Sequence, residues 1–553
     1  MLLGDAVRAN VIPGDAIHVY CGHTRWSPAA TEVVRQWWGR DPGFTLEMLS
    51  LSSLGTLWFR GGLVRKVVTG YSGDVFPNFT PNPVFSEAYL SGAVEVEHWS
   101  FLAFALRYEA AARGLPVAAT RSLLGSSMET NPGVEVFRTA GGDEVALLEA
   151  HAPDVALVHG AVADAEGNVA LHPPLLEGVW GALAARRGVI ATVERIVPDI
   201  RPWSNLVVIP SHRTLSVSEC PFGAHPGGLY GRFTPAEPYA EDLDFWTDAR
   251  DATRGDDLDG WIRRWVLDLP NHAAYLEQLG APRLATLSDR ARADSWRDDE
   301  AANPPDLTAP VNAWERAAVH GARVLATRIE ALGADVALAG AGVANLATWL
   351  GVRMAAEAGA KCRLVAELGL LGYEPTPADP FVFNHRAFPS ATMLGDSSMV
   401  LGGLIPGPGT VAIGCLGAAI VDQGGDIDST VVPGSAFLVG SGGGNDVASS
   451  ADEVVLVTTL TPRRTVERVP YVTSPGRRVS VLATDLCCFE RRDGRLELSA
   501  LADGVDVDEV ASVCGWDLGE LARAGEVPRM DPVTLGDVEP LRRWDPQGRF
   551  LRP

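Results

Sequence analysis

One carboxylate stands alone among apolar residues in RLVAELGLLGYEP, residues 363–375. It is Glu367, flanked by Val365, Leu368, Leu370 and Leu371. Burying a carboxylate is costly unless something pairs with it or uses it. A desolvated, positioned carboxylate can act as nucleophile or base. The plainer role is a strand-end acid paired with an arginine at the surface. A second stretch, GSGGGNDVAS at 440–449, follows the apolar run SAFLVG and carries three successive glycines, Gly442, Gly443 and Gly444. Such a run lets the backbone approach a ligand and aim N–H groups at developing negative charge. As a bare turn it would do nothing chemical. Asn445 and Asp446 behind it are residues that start helices.

Further candidates lie in the first half. CGHTRWSPAA, from residue 21, is a Gly turn before a helix, with His23, Thr24 and Arg25. Arg25 could meet a substrate carboxylate, while Thr24 or Ser27 could simply cap the helix. TGYSGDVFPNF, from residue 69, offers Tyr71, Ser72 and Asn78. His385 and Arg386 in NHRAFPS read as loop polarity or as phosphate contacts. LAGAGVANLA, 338–347, nearly matches a dinucleotide fingerprint. Gly340 and Gly342 fit, but Asn345 stands where a third glycine belongs, which leaves a nicotinamide-dependent oxidoreductase as a rival reading. The G-x-x-x-x-G-K-[ST] phosphate loop is absent.

These residues need elements to hold them, and the chain repeats its elements. AIHVYCG, SPAATEVVRQWWG and FTLEMLSLSSLG in the first half correspond to DVALAGAG, VANLATWLGVRMAAEAG and CRLVAELGLLG in the second. Each set spells strand, Gly turn, amphipathic helix and strand, a βαβ unit with parallel pairing. DVALVHGAVADAEGNVAL and TVAIGCLGAAIVDQGGDIDST likewise share a buried strand, an Asp, a Gly turn and a β-branched restart. A duplicated open α/β domain accounts for this order, with largely parallel sheets flanked by helices. Aligning the repeats on Leu54-Gly55 and Leu371-Gly372 sets Ser50 opposite Glu367. Ligands of open α/β sheets gather at the carboxyl ends of strands, where Glu367 falls.

The bounds agree. The chain has 553 residues, 46% hydrophobic and 21% charged, too long for one core. RARADSWRDDEAANPPDLTAP, 290–310, is charged and ends in prolines, and reads as a linker or an exposed helix followed by an extended segment. The expected division is residues 1–270, a linker at 271–310, and 311–553. The net charge of −23 argues against nucleic acid and anionic membrane as partners. Seven cysteines without C-x-x-C or zinc spacing suggest a reduced, cytoplasmic protein with no metal site. The start, MLLGDAVRAN, meets charge too early for a signal peptide. The uncharged stretch from Ser397 to Val421 contains LIPGPGTV and is read as a turn between buried strands, not a membrane span.

AELGLLG, GSGGGND, VADAEGNVAL and IPSHRTLSVSECPFGAHPGGLYG, taken together, resemble the family I CoA-transferases. The order resembles a fused form of the two-subunit glutaconate type, related to the succinyl-CoA:3-oxoacid type. The resemblance implies two tandem CoA-transferase-like domains of the NagB/RpiA kind, the α-like one first and the β-like one carrying the nucleophile. It matches Glu367 to that nucleophile, Gly369 and Gly372 to the loop behind it, and Gly442, Gly443, Gly444 and Asn445 to the loop near CoA and its thioester. His23, Thr24, Arg25, Tyr71 and Ser72 would face substrate. Glu367 would attack an acyl-CoA, giving a mixed anhydride and CoA thiolate. The thiolate would return to form an enzyme–CoA thioester, and a second carboxylate would reverse the steps. CoA is then a substrate and transient covalent group, with no tightly bound cofactor. Acyl-CoAs and carboxylic acids are the implied partners, and a homo-oligomer is compatible. This chain departs from the family's pattern at Ala366 and Leu368 beside the glutamate, and at Asp426 and Asp428 where Asn is usual. If Leu368 and Tyr373 reshape the pocket, water or an amine could replace the acid, giving an acyl-CoA hydrolase or acyltransferase.

Overall fold

In a computed structural model the chain is described at residues 2–20, 25–231 and 233–552. Two nine-stranded sheets organise it. In the first, a parallel run places Thr214–Glu219, Gly188–Val197, Val155–Asp164, Ala16–Val19, Phe44–Leu51, Val64–Ser72 and Glu95–His98 side by side. In the second, the parallel run is Val479–Ala483, Glu453–Val457, Ala412–Gly417, Val336–Ala339 and Arg363–Ala366. It is extended antiparallel at both edges.

The repeat is visible in the pairing. Each half's opening strand, Ala16–Val19 or Val336–Ala339, lies mid-sheet between the strand that follows it through a helix and a third from further along. The helices Pro28–Trp37 and Val343–Glu357 make those crossovers. The inner strands read as unbroken apolar runs because both faces are covered. Glu453–Val457 is buried throughout. The matching Asp turns are also there. Asp164 Oδ1 accepts the backbone N–H groups of Glu166, Gly167 and Asn168 at 3.1, 2.9 and 3.0 Å. In the second half Asp422 Oδ1 accepts that of Asp426 at 3.1 Å.

Residues 271–310 are largely helical, with His272–Leu279, Ala281–Arg290 and Trp296–Ala302. An irregular stretch follows, up to the helix Ala313–Leu332, which opens on a capping box of Asn312 and Glu315.

The two halves share one apolar cluster, which includes Tyr20 and Leu49 from the first and Val365 and Leu416 from the second. Backbone bonds stitch the glycine loop to the first half. Gly442 N–H donates to the Gly70 carbonyl (3.0 Å), and Phe101 N–H donates to the Gly442 carbonyl (3.1 Å). The Asn445 side chain is fully buried. Its Oδ1 accepts the Leu123 N–H (2.8 Å) and its Nδ2 donates to the Thr473 carbonyl (2.9 Å). Replacing Asn445 by Leu leaves both backbone groups buried and unsatisfied, and should lower stability by about 2–4 kcal/mol. Thermal melts check this. Unchanged stability with a weakened affinity for CoA would instead make Asn445 a ligand contact.

Candidate active site

Glu367 is the first residue past the strand Arg363–Ala366, and it projects into a cavity of about 500 Å³ between the two halves. Ser50 and Tyr71 of the first half line the same cavity. Ser50 lies near the end of Phe44–Leu51, so the two repeats aim the same strand-end position at one space, and only the second supplies an acid. The turn behind Glu367 needs glycine. Gly369 has φ +109°, and a Cβ there would lie 2.4 Å from the Gly395 carbonyl oxygen.

The glycine loop meets Glu367 through one residue. A Cβ on Gly443 would lie 2.0 Å from Oε2 of Glu367. The Gly443 N–H hydrogen-bonds the carboxylate, while Gly444 opens the helix Gly444–Ser450. The three amides expected to face a developing charge are thus not equivalent. Gly442 N–H is committed to the Gly70 carbonyl, and Gly444 N–H to that of Ser441 (3.1 Å). Only Gly443 is left to serve.

Burial, and then the nearby Asp446 carboxylate, push the Glu367 carboxyl up to about 8, against the pull of the Gly443 N–H. Asp446 is itself fully buried. It accepts the Ser100 hydroxyl and the Leu102 N–H. Burial raises it to about 6, against those bonds and one from Ser122. The charge beside Glu367 is therefore fixed by residues of the other half.

Several sequence expectations need correction. Arg25 is buried, and its Nη2 donates to the carbonyls of His172 (3.0 Å) and Pro174 (3.1 Å), so it braces a loop. It is not a cavity residue. His23 and Thr24 lie outside the described residues. Tyr71 lines the cavity, with its hydroxyl on the Asp74 carbonyl (2.9 Å). Ser72 faces Tyr89 instead, hydroxyl to hydroxyl at 3.0 Å. Asn445, Gly369 and Gly372 shape and anchor backbone rather than line the cavity. For Gly372, φ is +66° and its N–H donates to the Leu364 carbonyl (2.8 Å).

His385 and Arg386 are both buried, and they hold the helices before residue 303. His385 contacts Glu241 at 3.0 Å, and Arg386 Nε donates to Ser295 Oγ at 3.0 Å. Neither is free for phosphate. Leu368 and Tyr373 do not reshape the pocket, since both are buried away from it and Tyr373 accepts the Trp349 indole N–H (2.9 Å). Asp426 and Asp428 cap backbone N–H groups, of Gly476 (2.6 Å) and of Thr430 (2.9 Å). Asn78 does line the cavity. So do Trp314, Arg464 and Arg549, which sequence reasoning missed. Arg464 is one of several arginines in PRRTVER, and only the fold distinguishes it.

The sequence model of the coenzyme A transferase family matches residues 4–219. The A subunit of 3-oxoadipate CoA-transferase from Pseudomonas knackmussii is 30% identical over 266 residues, covering 45% of this chain and 90% of that subunit. The chain belongs to the coenzyme A transferase family. The B subunit of the same Pseudomonas enzyme is 28% identical over 200 residues, 32% of this chain and 75% of that one. Among solved structures, an acyl-CoA transferase of Escherichia coli O157:H7 in thioester complex with CoA superposes with a TM-score of 0.65 at 17% identity. It covers 96% of this chain and 94% of that one, a likeness of fold.

The protein is thus a CoA transferase built on an α/β fold with large parallel sheets. This removes the nicotinamide alternative, and Gly340 has another reason to be glycine. A Cβ there would lie 2.5 Å from the Cys415 carbonyl oxygen of the neighbouring strand. Among the described residues no helix is long and apolar enough to cross a membrane.

Gly443 has φ −83°, a conformation any residue adopts, so its glycine requirement is the contact with Glu367 alone. Gly443→Ala should fold like the parent yet lose about a hundredfold or more in kcat/KM, because the methyl displaces the carboxylate. Thermal melts and steady-state transfer assays check both halves of that statement. A folded, fully active Gly443→Ala would reduce the loop to a turn.

Proposed function

We propose that Glu367 is the nucleophile of a two-stage CoA transfer between an acyl-CoA and a carboxylic acid. The observation that carries this is the placement of its carboxylate. It lies at a strand end, half-buried in the wall of the cavity between the two halves, against the one glycine amide of its loop left free to face it. Attack on the acyl-CoA carbonyl forms the acyl–glutamyl anhydride and expels CoA thiolate. The thiolate attacks the glutamyl carbonyl and releases the first acid, leaving CoA on Glu367 as a thioester. The second acid reverses both steps and leaves as the new CoA ester. The Gly443 N–H stabilises the oxyanions formed on the glutamyl carbon.

A second carboxylate is the acceptor we favour, as Leu368 and Tyr373 do not enter the cavity to open it to water. On this reading residues 1–270 form the α-like domain, 271–310 the connection, and 311–553 the β-like domain that carries the nucleophile. The acids named for relatives, 3-oxoadipate among them, are the first to assay. We also assign the protein to the cytoplasm, with CoA as its only transient cofactor and a homo-oligomer as a compatible state.

A nucleophile raised to about 8 is mostly protonated at pH 7, with about a tenth ionised. Transfer must therefore gain with pH. The kcat/KM for acyl-CoA should climb nearly tenfold per unit below pH 7 and level off above about 8. Asp446→Asn removes the second cause of the raised value and should move the inflection to lower pH. A rate flat from pH 6 to 9 would contradict this.

Stability supplies the complementary test. Below pH about 4.5 the folded and unfolded chains both hold the Glu367 proton, and the group contributes nothing. Between 4.5 and 8 the unfolded chain ionises first, so the native state is progressively destabilised, and above 8 the cost is constant. Glu367→Gln escapes that cost. It should melt at or above the wild-type temperature at pH 7–8, match it near pH 4, and lose about a thousandfold or more in transfer. An active Glu367→Gln, or one that melts lower, would make Glu367 a structural acid.

A further inference from the structure

Arg464 also lines the Glu367 cavity, and the transfer steps above do not use it. It is half-buried. Its Nη1 donates to the Ala418 carbonyl (3.0 Å) and to the Thr458 hydroxyl (3.3 Å). The guanidinium lies over the Trp314 ring, 5.1 Å from its centre. Among the described residues no carboxylate offsets its charge, and burial alone acts on it, lowering its pKa. A cation withdrawn from water without an acid costs stability, so an anion supplied from outside would be favoured there.

Its position relative to Glu367 follows from the sheet. Ala418 and Thr458 stand at the carboxyl ends of Ala412–Gly417 and Glu453–Val457. The strand Val336–Ala339 separates them from Arg363–Ala366, which ends at Glu367. At about 4.8 Å per strand, the anchors of Arg464 lie about 10–14 Å from the strand that carries Glu367. Leu338, Val343 and Leu416 line the same cavity. The space thus holds a carboxylate at one strand end, a fixed cation two to three strands away, and apolar wall. That arrangement suits a short acyl chain with charge at its far end.

We propose that Arg464 binds the distal carboxylate of a dicarboxylic substrate, while the other carboxyl reacts at Glu367. The inference rests on the Glu367 reading and names its substrate class. A CoA phosphate is the other anion to consider. A second, polar cavity, which shares Asn78 and Arg549 with the first, sets Arg250, Arg290, Arg549 and Arg552 among Asp244, Asp299 and Asp379, with Arg290 on Asp299 at 3.1 Å. The test therefore has to tell a phosphate at Arg464 from a carboxylate.

The test compares wild type, Arg464→Gln and Arg464→Lys in transfer from acetyl-CoA and from succinyl-CoA. Acceptors are succinate and glutarate against butyrate and valerate, with calorimetric titration of glutarate alongside. Wild type should favour the dicarboxylic acids. Arg464→Gln should lose about 30- to 100-fold in kcat/KM on these and change by less than about threefold on the monocarboxylic acids, with Lys recovering part of the loss. A loss shared equally by every acid and acyl-CoA would assign Arg464 to CoA or to the fold, and would overturn the proposal. So would a wild type without preference. If no acid accepts CoA from either donor, it is the Glu367 reading that fails. Glutarate binding then decides Arg464 by itself: weakened binding in Arg464→Gln upholds the dicarboxylate site, and unchanged binding refutes it.

Discussion

Between Gly443 and the Glu367 carboxylate there is no room for a methyl group, and this contact organises the rest of the site. It brings a backbone N–H onto a carboxylate that has left bulk water. It also requires a strand-to-strand turn and a strand-to-helix junction from distant parts of the second half to meet. A βαβ unit ends at Glu367, and the segment after Phe437 delivers Gly443 to it. The first half holds the second of these in place. Gly70 and Phe101 grip the Gly442 backbone, and Ser100 and Leu102 hold Asp446.

The duplication explains why the site lies where it does. Each half is an open sheet whose strand ends offer a ligand crevice. Facing one another, the two crevices become a single cavity with Ser50 on one side and Glu367 on the other. Burial is what raises the Glu367 carboxyl, and Asp446 adds to it. A carboxylate that resists ionisation is reactive once ionised, which is the compromise a glutamyl nucleophile needs.

Much of this was legible in the sequence. The strands announced themselves as apolar runs, the repeat as a shared order of elements, and Glu367 as an acid among leucines. Motif resemblance then pointed to the family. What the sequence could not show was which atoms each polar group spends on its own fold. Three successive glycines look alike, yet two have their N–H groups taken by the Gly70 and Ser441 carbonyls. Arg25, His385 and Arg386 look like anion binders, yet all three are consumed in bracing loops and helices. Arg464 is one of several arginines in PRRTVER, and only the packing of Trp314 and the strand ends sets it apart. Long-range partners decide such cases, and sequence periodicity carries no record of them.

The central claim is that CoA becomes covalently attached to Glu367 during turnover. The most direct measurement is peptide mass spectrometry of the wild-type enzyme after incubation with acyl-CoA and no acceptor acid. The account predicts a CoA adduct on the peptide that contains Glu367, lost on adding acceptor and converted by borohydride to a reduced, inactive enzyme. An adduct on any other residue, or catalytic turnover with no adduct at all, would contradict it.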